Sequence, residues 1–133
     1  MPERIEGKAR ELLEAPNFCH ISTLTESGRP QVNPIWVHTD NGHVVVNSAE
    51  GRAWPRNVRR DPRVTLCVPN QENPYEYVTI QGRVVDETHD GADDNINFLA
   101  KKYLGEDEYP FRQPGEQRVL FRIEPEKVQV YGD

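Results

Sequence analysis

The 133-residue chain is long enough for one domain with a buried core and too short for two. Hydrophobic residues make up 35% of it, charged residues 29%, and the formal net charge is −6, which argues against nucleic-acid or membrane binding over the whole surface. No apolar stretch approaches the about 18 residues of a membrane span, and the first residues do not resemble a signal peptide, so we expect a cytoplasmic protein.

The first half of the chain is predicted to form one helix and three strands. Residues 2–15 carry apolar side chains at helical spacing, and Pro16 ends the helix. The sequence Asp-Asn-Gly at 40–42 is a strong hairpin signal. The three strands are predicted at residues 18–25, 31–38 and 43–47.

The segment at 47–62 concentrates positive charge in an otherwise acidic chain. It predicts a strand end, a tight turn and a short helix over residues 53–60, which we call the arginine helix. Pro55 is tolerated only in a first helical turn, and Pro62 pushes Asp61 out of the helical region. At helical spacing four arginines share one face, while Trp54 and Val58 lie on another. The arginines are Arg52, Arg56, Arg59 and Arg60.

Two interpretations of the arginine helix follow from its residues alone. A helix N-terminus presents unpaired N–H groups, and arginine offers a planar pair of donors, so the segment suits a phosphate. Alternatively, it is a solvated basic surface that balances nearby carboxylates.

The second half of the chain is predicted to contain the remaining strands and a third helix. Residues 63–68 alternate in polarity, 69–74 form a loop, and 77–85 form a strand with Gly82 at a bend or bulge. The acidic run 86–94 is predicted to cap a helix that ends at Gly105, and 106–117 to be exposed. A last strand starts at Arg118 and continues past Pro125 to 131. The pattern predicts a mainly β (α+β) single domain over 1–133, a six-stranded antiparallel barrel with short flanking helices.

No metal site or nucleophilic constellation is predicted. The acidic run lacks the spacing of an EF-hand loop, and Cys19 and Cys67 lack CxxC spacing and are expected to be buried free thiols. No Ser-His-Asp pattern is visible. The histidines lack zinc-ligand spacing and are expected to be structural or exposed; they are His20, His38, His43 and His89.

Five segments, taken in order, carry a family resemblance over nearly the whole chain. They read FCHISTL at 18–24, GRPQVNP at 28–34, RNVRRDPRV at 56–64, VTIQGRV at 78–84, and VLFRIEP at 119–125 with VYG at 130–132. Together they resemble the flavin-binding split barrels related to pyridoxamine 5′-phosphate oxidase. More narrowly, they resemble the branch that uses the deazaflavin coenzyme F420.

The resemblance implies a cofactor site and a homodimer in which the partner subunit completes that site. The cofactor is coenzyme F420, with FMN as the alternative. The residues implied at the phosphate and ribityl region are Asn47, Ser48, Arg52, Arg56 and Asn57. Those implied beside the ring system are Asn33, Pro34, Ile35 and Trp36.

Trp54 departs from the family pattern, because deazaflavin-using relatives commonly carry lysine there. Because that positive charge is absent, FMN remains an alternative cofactor. The indole of Trp54 is a candidate to stack on the cofactor or to donate a hydrogen bond to it. Two positions are considered for Trp36: in the hydrophobic core, or facing the ring system of the cofactor. Two roles are considered for Arg59 and Arg60: binding the acidic tail of the cofactor, or forming ion pairs with Glu50 and Asp61. Four tyrosines are open between proton donation and packing: Tyr75, Tyr77, Tyr103 and Tyr109.

The resemblance implies an oxidoreductase that transfers a hydride from reduced F420 to a small unsaturated or aromatic substrate, because a 5-deazaflavin is a hydride carrier. The alternatives are an FMN-dependent oxidoreductase and a non-catalytic protein that stores or carries the cofactor. Nucleic-acid binding by the arginine helix is opposed by the net charge and by the lack of interleaved aromatic residues.

Overall fold

The computed structural model describes residues 3–132, which form a seven-stranded antiparallel sheet and three helices. The strands are β1 (Cys19–Leu24), β2 (Pro30–Ile35), β3 (Val37–Asp40), β4 (His43–Ala49), β5 (Arg63–Asn70), β6 (Asn73–Thr88) and β7 (Arg118–Tyr131). The helices are α1 (Gly7–Glu14), α2 (Ala53–Arg60) and α3 (Ala92–Leu104). The predicted mainly β class and the antiparallel barrel are confirmed.

The two edges of the sheet are joined by a single residue. The strand order is β2-β1-β5-β6-β7-β4-β3, so β2 and β3 lie at opposite edges. Yet β2 ends at Ile35 and β3 begins at Val37. The sheet must therefore curl until its edges approach each other at Trp36, which gives a half barrel.

The predicted single strand 31–38 is therefore two strands. Ile35 pairs with Cys19 of β1, whereas Val37 pairs with Val46 of β4, so the chain passes from one edge to the other at Trp36. This division raises the strand number from six to seven, and it depends on pairing partners that local alternation does not reveal.

The core fills the concave side of the half barrel. Phe121 and Ile123 of β7 are fully buried beside Leu66 of β5 and Ile80 of β6. Full burial of one such side chain contributes roughly 1.5–3 kcal/mol, so the strands are held chiefly by this cluster. The helices complete it with Ala9, Leu12, Leu13, Trp54 and Val58.

Element boundaries differ from the prediction at the start of α1 and in the segment 69–74. Helix α1 begins at Gly7, and residue 2 lies outside the described part of the chain. The predicted loop 69–74 is a tight hairpin, since β5 ends at Asn70 and β6 begins at Asn73, with a register shift next to Pro69. Proline has no N–H to donate to a neighbouring strand, so it fits beside a bulge, where the ladder of hydrogen bonds is interrupted.

The predicted capping of α3 by the acidic run is wrong for most of that run. Asp86 and Thr88 belong to β6, where they pair with β7. The N-cap is Gly91, which has no side chain to offer, and only Asp93 and Asp94 lie in the first turn, where carboxylates favour the helix dipole.

The predicted irregularity at Gly82 is confirmed. The β6–β7 register shifts between Gln81 and Gly82, and a Cβ atom on Gly82 would lie 2.5 Å from the carbonyl oxygen of Glu124. The bulge needs a residue without a side chain because the neighbouring backbone passes so close. Among residues 3–132, no helix is long and apolar enough to cross a bilayer.

Candidate functional site

A cavity of about 210 Å³ lies beside Trp36, at the point where the two sheet edges meet. Strands β2 and β4 form one wall, and α3 and the segment between α3 and β7 form the other. We call it the aromatic cavity. It is lined by Phe18, Pro34, Ile35, Trp36, Asn47, Arg52, Ile96, Leu99, Tyr109, Phe111 and Arg118.

Stacked rings fix the position of Trp36. Its indole stacks on Tyr103 with the ring centroids 5.2 Å apart, and Tyr109 meets it edge-on at 5.9 Å. The Tyr103 hydroxyl donates to the carbonyl of Asn17 at 2.6 Å and accepts from the N–H of Val37 at 3.1 Å. Burial raises the pKa of Tyr103, so this hydroxyl is a structural anchor and a poor acid. Trp36 is thus both a packing residue and a wall of the cavity.

A second cavity, of about 340 Å³, lies at the N-terminus of the arginine helix α2. We call it the helix cavity. It shares Pro34, Ile35 and Arg52 with the aromatic cavity, so the two adjoin. Its lining is Gln31, Asn33, Pro34, Ile35, Arg52, Ala53 and Trp54.

The two cavities bring together seven of the ten residues that the sequence predicted for the cofactor. They are Asn33, Pro34, Ile35, Trp36, Asn47, Arg52 and Trp54. Ser48, Arg56 and Asn57 line neither cavity. Whether any of the ten contacts a cofactor stays a prediction.

Asn47 and Asn57 already have hydrogen-bond partners within the protein. The Asn47 Nδ2 donates to the carbonyl of Ala92 and to Asn95 Oδ1, each at 2.9 Å. The Asn57 Nδ2 donates to Thr23 Oγ1 and Gln31 Oε1, each at 3.0 Å. Both buried amides thus hold elements in place around the cavities.

Ser48 differs from the two asparagines. Its side chain is buried, and its hydroxyl has no hydrogen-bond partner in the described part of the chain. A buried hydroxyl without a partner is costly.

The arginines of the arginine helix have different partners. Arg59 donates two hydrogen bonds of 2.8 Å to Glu50 and also pairs with Glu87 at 2.7 Å, so the pairing with Glu50 is present, and a role at the cofactor's acidic tail stays a prediction. Arg60 donates to Asn57 Oδ1 at 3.3 Å. Arg56 is exposed and makes no hydrogen bond or ion pair within residues 3–132. Arg56 is therefore the arginine of this helix left available for a ligand.

Asp61, one of the two carboxylates considered as partners for Arg59 and Arg60, pairs with Arg63 instead. Their side chains meet at 2.7 Å, and this hydrogen bond lowers the pKa of Asp61 to about 2. Arg63 can reach Asp61 because β5 begins two residues after the carboxylate.

Trp54 belongs mainly to the core. It is 4% exposed and packs on Phe121 with the ring centroids 5.2 Å apart. Only the part that borders the helix cavity is available to a ligand. Stacking of the indole on a cofactor stays a prediction.

Sequence reasoning missed the side of the aromatic cavity formed by α3, the α3–β7 segment and the start of β7. The segment 106–117 was predicted to be exposed, and ten of its twelve residues are, but the side chain of Glu116 is only 6% exposed and Tyr109 is half-buried. Two aromatic residues around Pro110 in a polar stretch were the available signal. The buried Arg118 gave no local signal.

Arg118 is buried at the start of β7, with its side chain 2% exposed. Its Nε donates to Asn47 Oδ1 at 2.9 Å, and its guanidinium lies over the ring of Tyr109 at 5.0 Å. Burial lowers its pKa, although an arginine of ordinary pKa above about 12 stays charged at neutral pH. The aromatic cavity therefore has a fixed positive charge in its wall.

The described residues contain no group of three or more His, Cys, Asp or Glu side chains that could hold a metal ion. Cys19 is buried and Cys67 half-buried, and both thiols are free.

A curled antiparallel half barrel with cavities where its edges meet defines a split-barrel protein. The family model described as pyridoxamine 5′-phosphate oxidase matches residues 5–132, and the chain belongs to that family.

Solved structures agree with this assignment. The chain is 28% identical to a protein named F420 reductase, over 90% of this chain and 94% of that chain, with a TM-score of 0.79. A conserved hypothetical protein from Mycobacterium tuberculosis is 16% identical over 98% of this chain and 86% of that one, with a TM-score of 0.73. A protein from Listeria innocua described as a putative pyridoxamine 5′-phosphate oxidase is 17% identical over 90% and 92%, with a TM-score of 0.68. The last two show the fold alone.

Proposed function

We propose that this protein is a cytoplasmic, homodimeric oxidoreductase that uses coenzyme F420, with FMN as the alternative cofactor. It would transfer a hydride from the reduced coenzyme to a small unsaturated or aromatic substrate. The observation that carries the proposal is the pair of adjoining cavities between residues 33–36 and the arginine helix, with Arg52 in the wall of both. The similarity to a protein named F420 reductase supports the choice of coenzyme.

The residues present fit a cofactor with a phosphate and a planar ring system. No side chain caps the N-terminus of α2, so the N–H groups of its first turn have no side-chain acceptor. Half-exposed Arg52 lies at this end, and unpaired Arg56 follows one turn later. Backbone N–H groups and guanidinium donors are what a phosphate requires. Pro34 and Ile35, which lie in the walls of both cavities, offer apolar contacts to a ring system.

When bound, F420 supplies a hydride and FMN supplies one or two electrons. The chain's own contribution is to hold the substrate against the cofactor and to exclude water, for which Trp36, Tyr109 and Phe111 form the wall. Of the four tyrosines considered as proton donors, Tyr109 is the one that lines the aromatic cavity.

A second candidate function is non-catalytic storage or delivery of the cofactor. Apart from the phenol of Tyr109, the lining of the two cavities offers arginine, amide, aromatic and aliphatic groups, but no carboxylate, imidazole or thiol. This lining supports binding more directly than acid–base chemistry.

Coenzyme binding tests the proposal. We expect Arg56→Ala to weaken binding of F420, or of FMN, by about tenfold or more, because charge-assisted phosphate contacts contribute roughly 1.5–3 kcal/mol. Arg52→Ala should act in the same direction. The exposed Arg63→Ala serves as the matched control. Titrations followed by cofactor fluorescence give the dissociation constants, and unchanged constants in both variants would refute the phosphate assignment.

Turnover separates the enzyme from the carrier. Reduced coenzyme is mixed with the protein and a panel of enones, quinones and tetrapyrroles, and its oxidation is followed by absorbance. Oxidation that depends on both protein and substrate supports the enzyme. Tight binding without oxidation for every substrate supports the carrier.

A further inference from the structure

The aromatic cavity contains two guanidinium groups that share a single carboxylate. The Glu116 Oε1 lies 3.4 Å from Arg52 Nη2, and its Oε2 lies 3.3 Å from Arg118 Nη1. The contact with Arg118 lacks hydrogen-bond geometry, so Arg118 Nη1 is buried without a hydrogen-bond acceptor. A buried donor of this kind favours an additional acceptor.

The charges around the cavity do not cancel. Arg52 and Arg118 contribute two positive charges, and the other lining residues are uncharged; Glu116, which contacts both arginines but does not line the cavity, contributes one negative charge. One positive charge therefore remains in a largely aromatic and apolar wall. An incoming monoanion would balance that charge and give the buried Arg118 Nη1 the hydrogen-bond acceptor that it lacks.

The position of Arg118 is fixed before any ligand arrives. Its Nε is held by Asn47, which is itself held by Ala92 and Asn95 of α3, and Tyr109 lies against its guanidinium. A donor held in this way loses little conformational entropy on binding.

The shape of the cavity limits the size of that anion. An apolar cavity of about 150 Å³ is known to hold benzene, so about 210 Å³ accommodates one aromatic ring or a conjugated chain with a small charged group. The rings of Trp36 and Tyr109 meet at 89°, which leaves an aromatic face and an aromatic edge to contact a planar ligand.

We infer that the aromatic cavity binds a small planar aromatic or conjugated monocarboxylate, and that Arg118 is the residue that pairs with its carboxylate. The inference rests on the proposed function, because it names the substrate class of that same site. The helix cavity, with residues 33–35 and the start of the arginine helix, would serve the coenzyme, and the aromatic cavity, with Trp36, Tyr109 and Arg118, would serve the substrate.

The test compares trans-cinnamate with its neutral analogue trans-cinnamide by isothermal titration calorimetry on the full-length protein, with and without saturating F420. We expect cinnamate to bind about tenfold or more tightly than cinnamide, because only the carboxylate of cinnamate can form a charge-assisted pair with Arg118. F420 should not compete with cinnamate. Equal affinity for the two probes, or no binding of either, would overturn the inference.

Two substitutions act in opposite directions. Arg118→Gln should abolish the preference for the anion, and Glu116→Gln should strengthen cinnamate binding several-fold, because it removes the competing carboxylate while Arg118 keeps its Asn47 partner. The gain expected for Glu116→Gln does not arise from misfolding. Arg63→Gln, which changes an exposed arginine paired with Asp61, is the control and should leave both affinities unchanged.

Other outcomes are equally decisive. A preference that survives in Arg118→Gln, or a loss of cinnamate affinity in Glu116→Gln, would contradict the role of Arg118. Displacement of bound F420 by cinnamate would assign the cavity to the coenzyme and overturn the inference. Failure of the proposed function would instead appear in the coenzyme titrations of Arg52→Ala and Arg56→Ala, which involve neither probe.

Discussion

Single side chains around the cavities act by connecting elements that are far apart in the sequence. Asn57 of α2 joins β1 through Thr23 and β2 through Gln31. Asn47 joins β4 to α3 and to Arg118 of β7. Because each amide is buried, removing one partner would leave the other groups unsatisfied, which typically costs about 1–3 kcal/mol. The geometry of the site and the stability of the fold therefore depend on the same residues.

The pairing of Glu50 with Arg59 and His89 makes the stability of the protein depend on pH. Hydrogen bonds from Arg59, and then from His89, lower the pKa of Glu50 to about 2 from an ordinary 4.5. A carboxyl whose pKa is lowered on folding stabilises the protein above its ordinary pKa, and the contribution is lost as pH falls toward the folded value.

We expect Glu50→Gln to lower the free energy of unfolding at neutral pH by about 1 kcal/mol, a modest value because solvent screens this half-exposed pair. The gap between wild type and Glu50→Gln should narrow between about pH 5 and about pH 3. Urea denaturation at several pH values measures it, with the exposed Glu126→Gln as the control. A gap that is constant with pH would contradict the assignment.

The elements differ in how far the sequence determines them. The arginine helix has the predicted bounds, because Pro55 and Pro62 restrict the backbone locally. The division of 31–38 at Trp36 depends on whether a residue pairs with β1 or β4, which no local pattern records. Arg118 was missed for the same reason, since its burial comes from Asn47, Tyr109 and Glu116. Most of the predicted site residues came from the family resemblance, because a shared fold implies which residues distant in the sequence lie close together.

The bulge at Gly82 ties β6 to β7 at a point where their backbones are in close contact. We expect Gly82→Ala to lower the free energy of unfolding by about 1–3 kcal/mol, because the new methyl group would meet the Glu124 carbonyl at 2.5 Å and the Ile123 side chain at 3.0 Å. Urea denaturation measures the change, and Gln81→Ala, next to it on an exposed position, is the control. Equal stabilities for Gly82→Ala and wild type would show that the bulge relaxes freely.

The molecule as a whole presents apolar surface beside its proposed site. Phe18 and Phe111 line the aromatic cavity, and they are 47% and 57% exposed. Val32, on the edge strand β2, is 60% exposed. Exposed apolar side chains clustered beside a cavity are typical of a surface that another protein chain covers.

We therefore expect a homodimer in solution, and multi-angle light scattering should give the mass of two 15.3 kDa chains. The measurement is repeated over a range of protein concentrations, because a weak dimer dissociates on dilution. A single-chain mass at all concentrations would contradict the homodimer and leave the cofactor site without its proposed second half.

The one-residue link at Trp36 has a consequence for how the protein folds. Residues 35 and 37 are neighbours in the chain, yet they occupy opposite edges of the sheet, one in the β1–β2 hairpin and the other in the β3–β4 hairpin. Closure must wait until the strands between them are assembled, and topologies of this kind, rich in distant pairings, fold on a millisecond-to-second timescale. The aromatic cavity needs residues of both hairpins, Pro34 and Ile35 of β2 and Asn47 of β4, so a half-assembled chain would lack this site.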